Sequence, residues 1–527
     1  MSTLGFTVND SFSKELPADT SRESGSRTVT GAAHSYVEPR MPGNPKVIHV
    51  SDEMATELGL SPAQVKSETF TKVFTGAEAI EGSDPYAMCY GGHQFGHWAG
   101  QLGDGRAINL AEVDSHGQRW TLQLKGAGPT PYSRGSDGLA VLRSSVREHL
   151  CSEAMHHLGI RTSRSLSLAL TGDQVMRDVL YNGNAELEKG AIVCRVSKSF
   201  VRFGSFQIHL ANKDLKTLKA LVDHTIAQHY PHLVSEHVES YSNFFKEVCE
   251  RSLETVINWQ RVGFVHGVMN TDNISILGDT IDYGPYGWLE GYDQGWTPNT
   301  TDAQNKRYRY GMQPEIMFWN LLQLANALYP LLEDTAPFEE SLAAYKANFL
   351  TQYRDMMKSK IGLDHTGPED DQLIDDLQKA LQKSETDMTI FFRNLADYDR
   401  ETMVLDGHEF LRPIMKAFYE PGEIKGDALE GWRTWFKSYH DRLEAESRTD
   451  AERKEAMNKV NPKYVLRNYM SQLAIDAADD GDYGLIDELY KLLKQPYSEQ
   501  SEMEKWFVKR PEWARHKVGC SMLSCSS

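Results

Sequence analysis

Three polar side chains at fixed spacing carry the chemistry of this sequence. His266 is followed seven residues later by Asn273 in HGVMNTDN (266–273), and Asp282 opens DYG (282–284). A carboxamide and a carboxylate on adjoining loop ends supply the hard oxygen donors that a divalent cation prefers. Such an ion, held against phosphates, accompanies a nucleoside triphosphate. The spacing therefore predicts that Asn273 and Asp282 hold Mg2+ or Mn2+ together with ATP. Two residues after the histidine, where loops of this spacing carry a proton-accepting aspartate, stands Val268, which accepts no proton. Asp272 is the nearest carboxylate. It can serve as base only if substrate and phosphorus sit in a shifted geometry. Read alone, the stretch also fits an Asx-rich turn followed by a hairpin end.

A metal–triphosphate site needs cations and close backbone approach, and the chain offers both upstream. AINLAEV (107–113) and RWTLQLKG (119–126) flank DSHGQ and read as a hairpin. In the second strand Trp120, Leu122 and Leu124 alternate with Thr121, Gln123 and Lys125, which sets Lys125 on the polar face. A helix is predicted from about 139 to 158, ended by Gly159, and it carries Glu148 as a partner for Lys125. Small residues on the Glu148 face (Ser145, Cys151, Ser152) allow close approach to a sheet. LGDGRA (102–107) brings Gly103, Gly105 and Arg106 to one turn, where backbone N–H groups can approach phosphate. Arg195 and Arg202 flank the end of the strand GAIVCRVSKSF (190–200), and paired guanidiniums suit a polyphosphate. Asp137-Gly138 is either a helix-entry cap or a nucleotide contact. Each of these taken singly also fits an ordinary surface residue or turn. His93 and His97 in GGHQFGHWAGQ (91–101) have HxxxH spacing, but the glycines oppose a helix and Gln94 replaces the glutamate of a zinc-protease motif. These are read as loop histidines.

Around these motifs the chain divides into a β-rich lobe and a larger helical one, with the candidate site between them: an α+β fold. Residues 1–45, rich in Ser, Thr, Gly and Pro, read as irregular surface wrapping. The stretch 244–262 reads as a helix capped by Gly263, 285–312 as a long polar loop, and 313–515 as helices with Pro314 opening one. The 527 residues carry 74 acidic and 56 basic side chains, a net charge of −18, which argues against a nucleic-acid partner. Mean hydropathy is −0.50, and no apolar run approaches a membrane span. No apolar leader opens the sequence, and six scattered cysteines fit a reduced compartment. The expected location is the cytoplasm.

YGGHQFGHWAGQLGDGRA (90–107), LQLKGAGPTPYSRGSDGLAVLRSSVREHL (122–150) and HGVMNTDNISILGDTIDYGPYG (266–287) resemble the selenoprotein O family, from FTVNDSF (6–12) to the terminal SCSS (524–527). The resemblance implies a protein-kinase-like bilobal fold: an N-terminal extension (1–85), a β-rich N-lobe (86–204), a helical C-lobe (205–420) and a helical C-terminal extension (421–527). It also implies that ATP binds flipped and that AMP passes to Ser, Thr or Tyr hydroxyls of proteins with release of pyrophosphate. By that correspondence Lys125, Arg106, Arg195 and Arg202 contact the triphosphate, and Gly103, Gly105, Asp137 and Gly138 line the nucleotide. Glu148 pairs with Lys125, Asp272 is the base, and Asn273 and Asp282 hold the metal, with Asp282 also close to ATP. Cys525 stands where some members carry selenocysteine. Residues 285–312 hold no cysteine, so a bridge to that segment cannot form. Cys520 and Cys525 remain as a candidate redox pair, expected as flexible thiols. The competing readings are a conventional phosphotransferase and an inactive ATP-binding scaffold.

Overall fold

The architecture is that of a computed structural model, which describes residues 4–23, 25–179, 182–235, 239–404, 406–520 and 522–524. Two hairpins build the site side of the β-rich lobe. The first joins β1 (Gly91–Gln94) to β2 (His97–Gln101), and the second joins β3 (Ala107–Ser115) to β4 (Gln118–Lys125). Both turn through two residues of positive φ, Phe95-Gly96 and His116-Gly117, the turn that matches strand twist. β3 and β4 continue into a ten-stranded sheet through β5 (Arg164–Arg177) and β6 (Glu186–Ser197), in the order β3-β4-β6-β5.

The N-terminal residues are not the irregular wrapping that composition suggests. Thr7–Val8 pairs with β3, Lys46–Val50 closes the edge beside β5, and Ala18–Asp19 and His34–Tyr36 extend the opposite edge through Tyr86–Met88. These strands are two to five residues long and pair with residues far along the chain, so no local periodicity announces them.

The alternation in β4 decides which face does what. Leu122 and Leu124 are fully buried with Ile108, Leu166 and Ile192 against Met54, Phe70 and Phe74, from helices at 52–57 and 68–73. Thr121, Gln123 and Lys125 point to the other face, and they too are buried. Against that face lies α1 (Leu142–His157), which starts three residues later than expected because Ala140–Val141 pairs with β6.

The helical lobe begins with α2 (Phe203–Ala211) and is organised on α3 (Glu239–Val262), whose Phe244, Phe245, Val248, Leu253, Val256 and Trp259 are buried. Gly263, at φ +75°, ends α3; a Cβ there would meet the Met388 sulfur at 2.8 Å. α4 (Gln313–Leu332) opens with Pro314 in its first turn, as expected. The segment 285–312 departs from its reading as a polar loop. Tyr286, Trp288, Tyr292, Tyr308 and Tyr310 are all buried in the main core.

Candidate active site

Residues 266–284 fold around a buried histidine. His266 donates from Nε2 to the Ile281 carbonyl (2.9 Å), while its own N–H is held by Gln313 Oε1 (2.9 Å). The donating Nε2 leaves Nδ1 as the acceptor for the Val268 N–H (3.4 Å). One neutral ring thus ties the start of the loop to the residue before Asp282. Burial lowers its pKa and keeps it neutral. Asn273 donates its side-chain N–H to the Val268 carbonyl (3.0 Å), which commits the amide nitrogen and leaves the amide oxygen as an acceptor.

Asp282 is the electrostatic centre. Its backbone is left-handed (φ +57°), a conformation costing a non-glycine residue about 1 kcal/mol. Arg195 donates to one carboxylate oxygen (2.6 Å) and Arg202 to the other. Burial opposes the charge, but these guanidiniums and Lys125 outweigh it and hold the carboxyl far below the usual range. Arg202 also donates to the Asp272 carbonyl (2.7 Å) and lies 4.5 Å from the Tyr90 ring centre. Glu148 on α1 completes the cluster, reaching Lys125 at 2.5 Å and Arg195 at 3.2 Å. Burial is the largest influence on Lys125 and lowers its pKa, with Glu148 working against it.

Asp272 differs from Asp282 in every respect. It is 6% exposed, and burial pushes its carboxyl up to about 6. Gln94 donates to its Oδ2 (3.1 Å), while Oδ1 is buried with no partner. Oδ1 packs on Gly92, where an added Cβ would sit 2.6 Å away. The β1–β2 hairpin thus clasps the loop: His93 N–H donates to Thr271 Oγ1 (2.7 Å), and Phe95 N–H to Asn270 Oδ1 (3.2 Å).

Between the lobes opens a cleft of about 600 Å³. Its lining includes Gly103, Gly105, Arg106, Lys125, Asp137, Gly138, Arg195, Asp272, Asn273 and Asp282. Glu148 and Arg202 stand behind this wall and act through their partners. Among the described residues Arg106 makes no ion pair, so its charge is free for a ligand. Gly103 (φ +79°) and Gly138 (φ +67°) are required by approach as well as by φ. A Cβ would lie 2.3 Å from the Tyr132 ring in the first case and 2.2 Å from the Gly128 carbonyl in the second. Asp137 accepts from Arg177 (2.8 Å to each oxygen) and from the Leu139 N–H (3.0 Å).

Some of the site was not assigned from the sequence, although Asn270 lies inside HGVMNTDN and Asp104 inside LGDGRA. Gln94, Asn270, Arg177 and Asp104 all touch or line it, and all act across long sequence separations. Asp104 accepts the Met88 N–H (3.0 Å) and is fully buried, with its pKa raised by burial. The only signal for Gln94 was its place in a glycine-rich turn. His93 and His97 lie on the two strands of the hairpin, as the glycines indicated.

The C-terminal expectation is corrected in part. Cys520 is buried, 3% exposed, with its thiol pushed up to about 11 by burial, and Asn468 donates to its carbonyl (2.6 Å). It is a docked residue rather than a flexible thiol. Cys525 lies outside the described residues. Just before it, Leu523 pairs with Asn299, and the Asn299 side chain donates to the Gly267 carbonyl (3.0 Å), joining the tail to the loop at 266.

The family model described as protein adenylyltransferase SelO matches residues 26–494. Relatives named protein nucleotidyltransferase YdiU match end to end. That of Flavobacterium johnsoniae is 57% identical over 99% of both chains. Those of Rhodopirellula baltica and Aromatoleum aromaticum are 52% and 50% identical, over 100% and 99% of both chains.

Proposed function

The chain belongs to the SelO family of protein adenylyltransferases, and from that premise we propose that it transfers AMP from ATP to Ser, Thr or Tyr hydroxyls of proteins. The observation that carries this reading is the exchange of bases in the cleft. Val268 is buried where a phosphotransferase of this spacing has its base, and Asp272, its carboxyl raised to about 6, stands beside Asn273 instead. Asp272 takes the proton of the acceptor hydroxyl. The hydroxyl oxygen bonds to the α-phosphorus, the bond to the β-phosphate oxygen breaks, and pyrophosphate leaves. Arg106, Lys125 and Arg195 bind the departing phosphates, and Arg202 steadies the loop through the Asp272 carbonyl.

Asn273, through its free amide oxygen, and Asp282, ionised by its arginines, fit a hard divalent cation. Bound there with ATP, Mg2+ or Mn2+ supplies charge neutralisation on the phosphates. Gly103, Gly105, Asp137 and Gly138 contact the nucleotide. No helix of the described residues is long and apolar enough to cross a membrane. The net charge of −18 supports protein rather than nucleic-acid acceptors, and the scattered cysteines support a reduced compartment, the cytoplasm.

A conventional phosphotransferase is favoured only by the intact Asn273 and Asp282 pair, and an inactive scaffold only by Val268. Incubation with ATP labelled at the α- or γ-phosphate separates the three. Protein-bound label from the α-phosphate alone is expected. Label from the γ-phosphate alone would sink adenylyl transfer, and retained ATP binding with no label from either would leave a scaffold.

A further inference from the structure

The β1–β2 hairpin places Gln94 in the cleft and presents a cationic, aromatic patch beside its turn. At the turn, Gly96 lies against Arg307, where an added Cβ would be 3.4 Å from the guanidinium carbon. Arg307 lies 4.7 Å from the Trp319 ring centre, and its Nε is buried without a hydrogen-bond partner. Trp98, 40% exposed, packs on His93 (5.2 Å between centroids), and His93 packs on Trp319 (5.4 Å). Lys306 beside it is exposed, and among the described residues neither Lys306 nor Arg307 has a carboxylate partner. The one carboxylate bonded to the segment, Asp302, is buried. It accepts the backbone N–H groups of Arg307 (2.9 Å) and Tyr308 (2.7 Å), and its charge offsets part of the Arg307 charge without forming an ion pair to the guanidinium. The patch is coupled to the reacting end of the cleft. Tyr308 OH donates to Asn270 (2.6 Å), and the Phe95 N–H donates to Tyr308 OH (2.9 Å).

An arginine stacked on an indole, with its Nε unbonded and, among the described residues, no salt bridge to a carboxylate, suits an incoming carboxylate: the ring holds the guanidinium plane in place. On a protein of net charge −18, a local cationic patch is where an acidic segment of a partner meets attraction rather than repulsion. A hydroxyl delivered to Asp272 arrives on a chain whose neighbouring residues must lie over the surface around the hairpin. We propose that Arg307 and Lys306, with Trp98 and Trp319 as the apolar floor, recognise acidic residues flanking the acceptor hydroxyl of the substrate protein. This rests on the adenylyl-transfer reading above.

The test uses the full-length protein, α-labelled ATP, and two peptides: one tyrosine flanked by glutamates, or the same tyrosine flanked by lysines. Label on the chain itself is counted in the same reaction. The acidic peptide is expected to be preferred about tenfold in kcat/KM. Arg307→Glu should abolish or invert the preference, and Arg307→Lys should keep most of it, with the KM for ATP unmoved in both. Equal use of the two peptides, or transfer to neither while the chain modifies itself, overturns the proposal and leaves adenylyl transfer standing. So does an Arg307→Glu variant that shifts the KM for ATP instead, which would assign the guanidinium to the nucleotide. Absence of α-label on any protein would instead bring down the parent reading.

Discussion

Asp387 and Asp282 are both held by arginines, and they are built differently. Asp387, at the start of the helix Met388–Leu395, meets a single arginine: Arg467 donates to both its oxygens, at 2.6 and 2.8 Å. The same carboxylate caps its helix through the Ile390 N–H (3.0 Å), and its backbone is extended. Neither residue leaves a buried side-chain nitrogen or oxygen without a hydrogen bond, and both side chains are 3% exposed or less. Asp282 instead divides its two oxygens between Arg195 and Arg202, from a left-handed backbone, at the wall of a cleft. Arg195 Nε and Arg202 Nη2 stay buried without hydrogen bonds. A closed pair organises the fold, because nothing is left over for a ligand. An open cluster with surplus donors is arranged for groups that arrive later.

The sharpest way to break this contrast is to remove each carboxylate and compare activity with stability. Asp282→Ala should lower AMP transfer by about 10³-fold or more, since it deletes a metal ligand and the counter-charge of the phosphate-binding arginines. The variant should still fold, because Arg195 keeps Glu148 and Gln123 as partners and Arg202 keeps the Asp272 carbonyl. Near-normal transfer measured with α-labelled ATP would remove Asp282 from the site. Asp387→Ala should do the reverse. It strands a buried Arg467 and uncaps a helix, at a cost of about 3–5 kcal/mol in denaturant unfolding. Its transfer rate per folded molecule should change little. If Asp282→Ala proved the more destabilising of the two, the open and closed labels would have to be exchanged.

The two clusters also differ in how far the sequence discloses them. His266, Asn273 and Asp282 keep a fixed spacing inside one short loop, so their geometry is local and readable. So are the β3–β4 hairpin and α3, because alternation and helical period are properties of consecutive residues. Asp387 and Arg467 are 80 residues apart, and nothing in either neighbourhood names the other. The same reason hid Gln94, whose contact with Asp272 spans 178 residues, and the N-terminal strands, whose partners lie across the sheet. The segment 285–312 misled for another reason. Its polar residues suggested solvent, but its tyrosines and tryptophans bury their rings while their hydroxyls find partners such as Asn270 and the Gln260 carbonyl.

The smallest expected effect tests the openness itself. If Arg195 and Arg202 occupy both oxygens of Asp282 before any ligand arrives, they compete with the metal for that carboxylate. Triphosphate binding would draw Arg195, which lines the cleft, off and release the ligand, so that nucleotide and metal help each other bind. Removing one arginine should then improve metal binding in the nucleotide-free protein. Arg195→Gln keeps a donor for Gln123 or Glu148 but loses the charge that competes for Asp282. Mn2+ titration followed by electron paramagnetic resonance should show binding about tenfold tighter than in the unaltered chain, or 1.4 kcal/mol. ATP binding by the same variant should weaken, because a phosphate contact is gone. Mn2+ affinity that is unchanged or lower in Arg195→Gln would mean that the arginines do not hold Asp282 back from the metal, and the cluster would then be as closed as the one at Asp387.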